Sequence, residues 1–445
     1  MKEKILSFFK IKERGSSISI ELIAGITTFM TMAYVLVTQP VAIVGGTATQ
    51  FVDANGVVVT SQAIMILTAL ISGIVTIFMA LYTNLPFALS AAMGTNFMLG
   101  GLLLSETDQS ITFAQMMTII LVSGIIFLLM SLFGIRDLVV RMIPKNIKVA
   151  IGTCIGFFIA MLGLKNSGIC DFSNGLAAGD FTDPAILLSI IGLFIIAILT
   201  ARKVKGALLI GIIATTIIGI PMGITAVPTQ IVSMPDFKEL KPLLFQFDFT
   251  GLLTPQFLIL MFTAFFSDFF CTLGTVLGVA GKANMLDENG DFPEIQKPFL
   301  VDAIGTVAGA CFGTTTVTTY VESTAGVEAG GRTGLTSLTT GVILLATVFI
   351  APLFGIIPAA ATAPALIFVG FTMIQGIKEI DFSDFGEAFG PFMMILIGAF
   401  SSSIADGIAA GILCHIIMKV FTGKFKEIHI GMYVLCIPLV VYFII

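Results

Sequence analysis

Two carboxylates lie in stretches of sequence that are otherwise apolar, and both are candidates for binding chemistry. Glu322 ends the run TTTVTTYVE (314–322), and Asp268 lies inside FTAFFSDFFCTLGTVLGVAG (262–281). A carboxylate in such surroundings loses its hydration at a large cost in free energy, so its presence favours a role in binding a ligand or a proton. The structural alternative for Glu322 is an ion pair, for which Arg332 is the nearest basic residue.

The spacing around Asp268 predicts a polar stripe on one helix. Cys271, Thr272 and Thr275 follow Asp268 by three, four and seven residues, which places them on or near its face. Threonine and glycine also hold neighbouring helices together inside membranes. For the threonines, binding and helix packing therefore both stay open.

A third candidate is Asn96, inside NLPFALSAAMGTNFMLGG (84–101). Its amide both donates and accepts hydrogen bonds, which suits the edge of a nitrogen heterocycle. Capping of the helix that follows is the alternative role. We interpret Asp302, near the basic Lys297, as structural, and Asp406 as a candidate for a domain interface.

The elements that position these residues are predicted to cross a membrane. Of 445 residues, 57% are hydrophobic and 11% are charged, whereas soluble domains carry about 25% charged residues. Apolar runs of about 20 residues recur along the chain, which excludes a soluble protein and indicates a multi-pass protein of the inner (plasma) membrane. We predict about fourteen spans, at 20–38, 63–83, 86–104, 112–133, 146–165, 183–200, 206–224, 255–280, 298–312, 320–330, 335–357, 359–377, 389–420 and 428–445.

Basic residues predict the orientation of these spans. The N-terminal segment MKEKILSFFKIKERG lacks the features of a signal peptide, and its five basic residues place it on the cytoplasmic side. Further basic residues follow the fourth, sixth, eighth and tenth spans, on that same side: Arg136, Arg141, Lys145 and Lys148; Arg202, Lys203 and Lys205; Lys282 and Lys297; Arg332. Lys419, Lys424 and Lys426 fit the rule only if 389–420 turns back on itself, for instance at SSSIAD (401–406).

A polar connection at 225–254 divides the chain into two halves of about seven spans, so the second half would be inverted. The third span is irregular in both halves, which is typical of a transporter site. Thr314–Val321 is mostly β-branched, and extended backbone at membrane depth needs a partner. We predict that it pairs antiparallel with Phe87–Met93, and that each strand leads into a half-helix whose N-terminus faces the centre of the molecule.

Residue types argue against several other functions. The six cysteines form no pairing or CxxC pattern, and the chain has only two histidines, His415 and His429. We therefore expect no metal, no cofactor and no catalytic residue. The expected partners are a small ligand and the lipid bilayer, with self-association into a homodimer left open and nucleic acid not indicated.

Four motifs resemble the azaguanine-type purine permeases, which belong to the nucleobase–cation symporter group with the uracil-transporter fold. They are AGITTFMTMAYVLVTQP (24–40), IPKNIKVAIGTCIGFFIAMLGLKNSGI (143–169), SDFFCTLGTVLGVAG (267–281) and GTTTVTTYVESTAGVEAGGRTGLT (313–336). The resemblance implies an all-helical fold of fourteen segments in seven-plus-seven inverted repeats, with two short strands, a core domain and a gate domain. It also implies proton-coupled uptake of adenine, guanine or hypoxanthine. The domains expected are a cytoplasmic segment at 1–19, core repeats at 20–133 and 255–357, and gate repeats at 143–224 and 358–445.

The resemblance also assigns residues. The purine-binding carboxylate of the family falls on Glu322, its eighth-span aspartate on Asp268 and its third-span asparagine on Asn96. Many members carry a second aspartate, in a DxFDT pattern, where this chain has Cys271. This departure removes an acceptor and leaves the preferred purine and the coupling open.

The expected mechanism follows from these assignments. A purine would stack on Phe269 or Tyr320 and donate ring N–H groups to Glu322, while Glu322 or Asp268 takes up the proton. Gly274, Gly278, Gly305 and Gly309 would allow close packing in the core. The full set of predicted contacts is Asn96, Asp268, Phe269, Cys271, Thr272, Thr319, Tyr320 and Glu322.

Three other functions are weighed against purine transport. A sulfate or bicarbonate transporter of the same architecture would need a positive or neutral site, which two buried carboxylates disfavour. A channel needs a continuous polar pore, whereas polar residues here concentrate at the centre. A membrane enzyme would need a metal cluster or a nucleophile–base pair, and the sequence contains no such motif.

Overall fold

The computed structural model describes residues 2–45, 48–104, 111–134, 144–171, 177–227, 230, 232–235, 237–287, 292–401 and 404–444. Within these residues the fold is almost entirely helical, with six very short strands. Arg136 and Arg141, from the predicted basic cluster, lie outside the described residues. Eight helical segments of the described chain are long and apolar enough to cross a bilayer. The protein is therefore a multi-pass membrane protein.

The first half of the described chain forms nine helices and five strands. The helices are α1 Lys2–Phe8, α2 Ile18–Met32, α3 Val35–Val44, α4 Ser61–Thr83, α5 Met93–Leu103, α6 Phe113–Phe133, α7 Lys145–Asn166, α8 Pro184–Ala201 and α9 Ala207–Gly219. The strands are β1 Gln50–Val52, β2 Val58–Thr60, β3 Leu89–Ala91, β4 Cys170–Asp171 and β5 Ala177–Ala178. Strands β1 and β2 form one antiparallel hairpin, and β4 and β5 another.

The second half contains the remaining described elements. They are α10 Phe237–Leu240, α11 Pro255–Lys282, α12 Gln296–Cys311, β6 Val317–Thr319, α13 Ser323–Glu328, α14 Gly334–Thr347, α15 Ala351–Gly355, α16 Ala359–Ile374, α17 Phe385–Phe400, α18 Ile404–Phe421 and α19 Ile430–Ile444. Four 3₁₀ turns lie at Lys241–Leu243, Val348–Ile350, Gln375–Glu379 and Phe425–Glu427.

Two predicted spans are each formed by two helices in the structure. The span 20–38 is two helices, α2 and α3, that meet at Ala33 and Tyr34. The segment 389–420 is also two helices, α17 and α18, which separate inside SSSIAD as predicted. These two helices pack along each other, so the segment turns back on itself.

The hairpin of α17 and α18 explains the position of the basic residues that follow it, because it returns the chain to the end of the molecule where α17 begins. Lys424 Nζ lies 2.6 Å from Asp384 Oδ2, which joins the end of α18 to the start of α17. Lys145 Nζ lies 3.6 Å from Glu379 Oε2, five residues before Asp384. Lys424 therefore shares one end of the molecule with Lys145, as the charge pattern requires.

Helices from the two halves pack together in two groups. In the first bundle, α2 and α4 pack on α14, and α6 packs on α11 and α12. In the second bundle, α7 packs on α16 and α17, while α8 packs on α9 and α16. Glycines allow the helices to approach closely in both bundles, because a β-carbon at Gly341 would lie 2.9 Å from Gly73 O, and one at Gly156 would lie 3.0 Å from Gly370 O.

Candidate functional site

The two broken segments meet as a buried two-stranded sheet. Strands β3 and β6 are antiparallel, with Leu89 opposite Thr319 and Ala91 opposite Val317. The prediction that these stretches pair is therefore confirmed. Strand β3 leads into α5, and β6 leads into α13, so two short helices begin beside the sheet.

Side chains form hydrogen bonds with the outer edges of this sheet, which no further strand of the described residues covers. On the β3 edge, the Thr76 hydroxyl donates to Leu89 O at 3.1 Å and accepts from Leu89 N at 3.0 Å. On the β6 edge, Asp302 Oδ1 accepts from Thr319 N at 2.6 Å and from the Thr318 hydroxyl at 3.0 Å. Asp302 is fully buried, and its contacts support the structural role predicted for it, although its partners are strand residues.

Glu322 lies at the end of the extended run, directly before α13, and lines a cavity of about 180 Å³. Its Oε1 atom accepts a hydrogen bond from the Tyr34 hydroxyl at 2.8 Å. Arg332, its predicted alternative partner, instead donates to the carbonyl oxygens of Val327 and Gly331, at 2.6 and 2.7 Å. No ion pair within the described ranges involves Glu322 or Asp268.

Asp268 lines the same cavity from α11 and is only 3% exposed. Its Oδ2 atom accepts from the Thr306 hydroxyl at 2.8 Å, whereas Oδ1 has no hydrogen-bond partner among the described residues. A buried polar atom without a partner is costly and calls for an explanation. Because the Asp268 side chain borders the cavity, this oxygen is a candidate site for a proton.

The structure places the predicted contacts in two groups. Five of them line the cavity: Asp268, Cys271, Thr319, Tyr320 and Glu322. The other three, Asn96, Phe269 and Thr272, are buried beside it and do not line it.

Each of these three residues has a packing role. Asn96 donates to Gln39 Oε1 at 2.9 Å, and Thr272 shares a hydrogen bond with the Thr318 hydroxyl at 3.0 Å. The Phe269 ring packs edge-on against Phe127 and Phe299. Phe269 therefore does not offer the predicted stacking surface, because its side chain points to the α6 side of α11.

Phe270 takes that place on the cavity wall, one residue further along the helix. Tyr320 also lines the cavity, and its hydroxyl donates to the carbonyl oxygen of Ala91. Two aromatic rings are thus available beside the carboxylates. The sequence does not distinguish Phe269 from Phe270, because both neighbour Asp268 in an aromatic run and the helix rotation is not fixed by composition.

The opposite wall of the cavity comes from the second bundle and was not predicted. Helix α7 contributes one face, and α16 contributes its C-terminal half: Lys148, Ile151, Gly152 and Ile155; Val369, Thr372 and Met373. Lys148, which the sequence predicts as part of a cytoplasmic cluster, lies inside α7 with its Nζ atom 5.9 Å from the Phe270 ring centroid. Its spacing of three, four and seven residues to the other α7 positions is the signal that could have revealed it.

The glycines of α11 behave differently from those of α12. β-Carbons at Gly305 and Gly309 would collide with the carbonyl oxygens of Val317 and Thr315, so these glycines allow α12 to press against the strand β6 segment. At Gly274 and Gly278 nothing lies within 4 Å of a β-carbon, and both are exposed. The predicted close packing is therefore wrong for this pair, which lies on an open face of α11.

Comparison with known proteins places this architecture in a family. The profile of the Xan_ur_permease group, described as "Permease family", matches residues 19–414. The chain belongs to this permease family. Its relatives are transporters, not enzymes, and so is this chain.

Two curated relatives extend over nearly the whole permease. The adenine permease AdeQ of Escherichia coli is 36% identical and the guanine/hypoxanthine permease PbuO of Bacillus subtilis is 37% identical. Each alignment covers 95% of this chain, with 92% of AdeQ and 96% of PbuO. Among solved structures, the transmembrane domain of a cyanobacterial bicarbonate transporter, BicA, superposes with a TM-score of 0.64 at 17% identity, over 88% of this chain and 97% of that chain. This likeness shows a shared fold.

Proposed function

We propose that this permease imports purine nucleobases together with protons across the cytoplasmic membrane, by alternating access. The observation on which the proposal depends is one cavity, formed where the two broken segments meet, with Glu322 and Asp268 on its wall. The names of full-length relatives support purines as the substrate class. Neither carboxylate forms an ion pair within the described residues, which supports their availability to a ligand.

A purine in this cavity would find both acceptors and donors. Glu322 can accept ring N–H groups, since an ionised carboxylate is an acceptor only. On the other side, Met93, Gly94 and Thr95 line the cavity at the start of α5. The first backbone bond at this helix start runs from Asn96 N to Ala92 O at 3.0 Å, so the three preceding N–H groups have no partner in the turn before them. They are suited to the acceptor nitrogens of the base, while Phe270 or Tyr320 stacks on its face.

Asp268 is the better placed of the two carboxylates to carry the proton. It is almost fully buried, its Oδ1 atom has no hydrogen-bond partner in the described part of the chain, and its side chain borders the cavity. A proton on that oxygen removes a charge from an apolar environment and breaks no existing hydrogen bond. Glu322, whose carboxylate is held by the Tyr34 hydroxyl, is then free to bind the base.

Alternating access would move the two bundles against each other. The first bundle corresponds to the proposed core domain at 20–133 and 255–357, and the second to the proposed gate domain at 143–224 and 358–445. The pairing of helices from both halves inside each bundle supports this division. Fourteen spans in seven-plus-seven inverted repeats, with the segment 1–19 in the cytoplasm, complete the proposal.

Anion transport is the second candidate, and Lys148 is the observation that favours it. A lysine on the cavity wall would attract sulfate or bicarbonate. Glu322 and Asp268, which line the same cavity from the first bundle, oppose an anion, and they outnumber the lysine. Purine transport therefore fits the charges of the cavity better.

The decisive experiment is uptake into proteoliposomes. Labelled hypoxanthine and adenine are offered with and without an inward proton gradient, and unlabelled bases, sulfate and bicarbonate compete for uptake. Saturable uptake that depends on the gradient, and that purines but not sulfate inhibit, would support the proposal. Inhibition by sulfate or bicarbonate alone would replace it with anion transport, and release of a chemically altered base would indicate an enzyme.

A further inference from the structure

Tyr34 forms a direct hydrogen bond with the carboxylate proposed to bind the base. Its side chain is almost fully buried and lines the cavity together with Glu322. The Tyr34 hydroxyl donates to Glu322 Oε1 at 2.8 Å. A hydroxyl has a single proton to donate, and hydrogen bonds to an ionised acceptor are stronger than those between neutral groups. This bond therefore restricts the rotation of the Glu322 side chain, which borders open space in the cavity.

The chain on both sides of Tyr34 fixes the position of this donor. Tyr34 lies at the junction of α2 and α3, inside the first span. The following turn of α3 is attached to the second broken segment, because Gln39 Nε2 donates to Thr314 O at 3.1 Å. The last turn of α2 reaches the other end of that segment, where the Thr31 hydroxyl donates to Glu322 O at 3.4 Å. Tyr34 is therefore held in place relative to the strand and the half-helix on either side of Glu322.

A carboxylate that is held in one orientation binds a base more tightly than a mobile one. A mobile side chain must be ordered when the ligand binds, and ordering one flexible side chain lowers the affinity by about twofold to tenfold. The bond from Tyr34 orders Glu322 before the base arrives, so this cost is removed. Tyr320, which also lines the cavity, uses its hydroxyl elsewhere, because it donates to the carbonyl oxygen of Ala91.

We infer that Tyr34 is a positioning residue for purine binding and that it acts on the base through Glu322. This inference depends on the proposed function, because it concerns the same site. It adds the junction of α2 and α3 to a site for which the sequence predicts contacts only in the third span, the eighth span and the segment that ends at Glu322.

Removal of the hydroxyl provides the first test. Tyr34→Phe keeps the ring, and Tyr82→Phe is the matched control, because Tyr82 is exposed on α4 and does not line the cavity. For uptake of hypoxanthine and adenine into proteoliposomes, we expect Tyr34→Phe to raise KM about threefold to tenfold at a maximal rate near that of the wild type. Tyr82→Phe should change neither quantity.

The outcomes of this test separate the inference from the proposed function. A wild-type KM in Tyr34→Phe would overturn the inference while leaving purine transport intact. A lower maximal rate and a lower midpoint of thermal unfolding, without a change in KM, would also overturn it, because they would indicate a purely structural role. Uptake of neither base by the wild-type protein would instead overturn the proposed function.

A double-mutant cycle provides the second test. Glu322→Asp keeps the charge and draws the carboxylate back from the Tyr34 hydroxyl by one methylene, so we expect it to raise KM. In that background Tyr34→Phe should add less than about twofold, because Tyr34 no longer reaches its partner. Full addition of the two effects would mean that Tyr34 acts on the base without Glu322, and would overturn the inference. If Tyr34→Phe does not insert in the membrane, Glu322→Asp alone decides, since a wild-type KM there would show that the position of the carboxylate does not matter.

Discussion

Glu322 has one hydrogen bond to its carboxylate in the described structure, from Tyr34 at 2.8 Å, and otherwise borders the cavity. Replacing it changes the ligand's environment far more than it changes the packing of the protein. Asp268 has the complementary arrangement, with one oxygen satisfied by Thr306 and the other without a partner in the described residues. The roles of these two carboxylates can therefore be tested separately by conservative substitutions.

The Glu322→Gln variant should lose purine uptake. The amide keeps the shape of the side chain but loses the charge that strengthens hydrogen bonds from the base, so we expect a fall of at least about tenfold in uptake. The amount of protein in the membrane, measured by immunoblot or fluorescence detection, should stay the same. Normal uptake by this variant would exclude Glu322 from base binding.

The Asp268→Asn variant should separate binding from proton coupling. An amide resembles the protonated carboxyl in shape and charge, so we expect the variant to exchange labelled for unlabelled base across the membrane at a rate near that of the wild type. Accumulation driven by a pH gradient should disappear, because the variant has no group at this position that gains or loses a proton. Gradient-driven accumulation that persists in the variant would place the coupling proton elsewhere.

At the scale of elements, the sheet of β3 and β6 depends on side chains from neighbouring helices. Asp302 on α12 holds the outer edge of β6, and Thr76 on α4 holds the outer edge of β3. Extended backbone at membrane depth has no water with which to form hydrogen bonds, so each outer N–H and C=O group needs such a partner. The position of Thr319, Tyr320 and Glu322 on the cavity wall follows from this fixed sheet.

The Asp302→Ala variant should lower stability. It leaves Thr319 N without its acceptor in a fully buried site, which costs about 1–3 kcal/mol. We expect a lower midpoint of thermal unfolding in detergent, with a smaller loss in Asp302→Asn, which keeps one acceptor oxygen. Asp180→Asn is the control, since Asp180 lies in an exposed turn. An unchanged midpoint in Asp302→Ala would show that the sheet does not depend on this contact.

Local sequence patterns predicted which elements form, but they did not predict the side-chain contacts between elements. The β-branched run before Glu322 and the need to pair backbone in a membrane were enough to predict the strands and their partnership. The edge contacts of Asp302 and Thr76 could not be predicted, because they join residues that are far apart in sequence and depend on helix rotation. The same limit explains why Phe269 was predicted on the cavity wall in place of Phe270 and why Lys148 was missed.

At the scale of the whole molecule, the open face of α11 indicates which way the cavity opens. Cys271, Gly274 and Gly278 are exposed along one face, and the face ends at Lys282. Lys282 Nζ lies 3.5 Å from Glu328 Oε1, and Arg14 donates to Arg332 O at 3.0 Å, so these basic residues gather at one end of the molecule. The orientation proposed from the positive-inside rule places that end in the cytoplasm, and we therefore propose that the cavity opens on the cytoplasmic side in this conformation.

Closure of the open face would require another surface to approach Gly274 and Gly278. Both positions lack a side chain and have open space in front of them, whereas the space in front of Gly309 is filled by the backbone of Thr315. We expect the second bundle to pack on these glycines when the cavity closes on the cytoplasmic side. A bulky side chain here would be harmless in the open conformation and obstructive in the closed one.

The Gly278→Leu variant should therefore bind purine and fail to transport it. Leucine favours a helix more than glycine and meets no neighbour within 4 Å of its β-carbon, so folding and thermal stability should be preserved. Gly355→Leu, which also meets no neighbour and lies on α15 away from the cavity, should transport normally. Gly309→Ala should instead lower the unfolding midpoint, because its β-carbon collides with the Thr315 carbonyl oxygen. Uptake by Gly278→Leu at the wild-type rate would mean that this face stays open throughout the cycle.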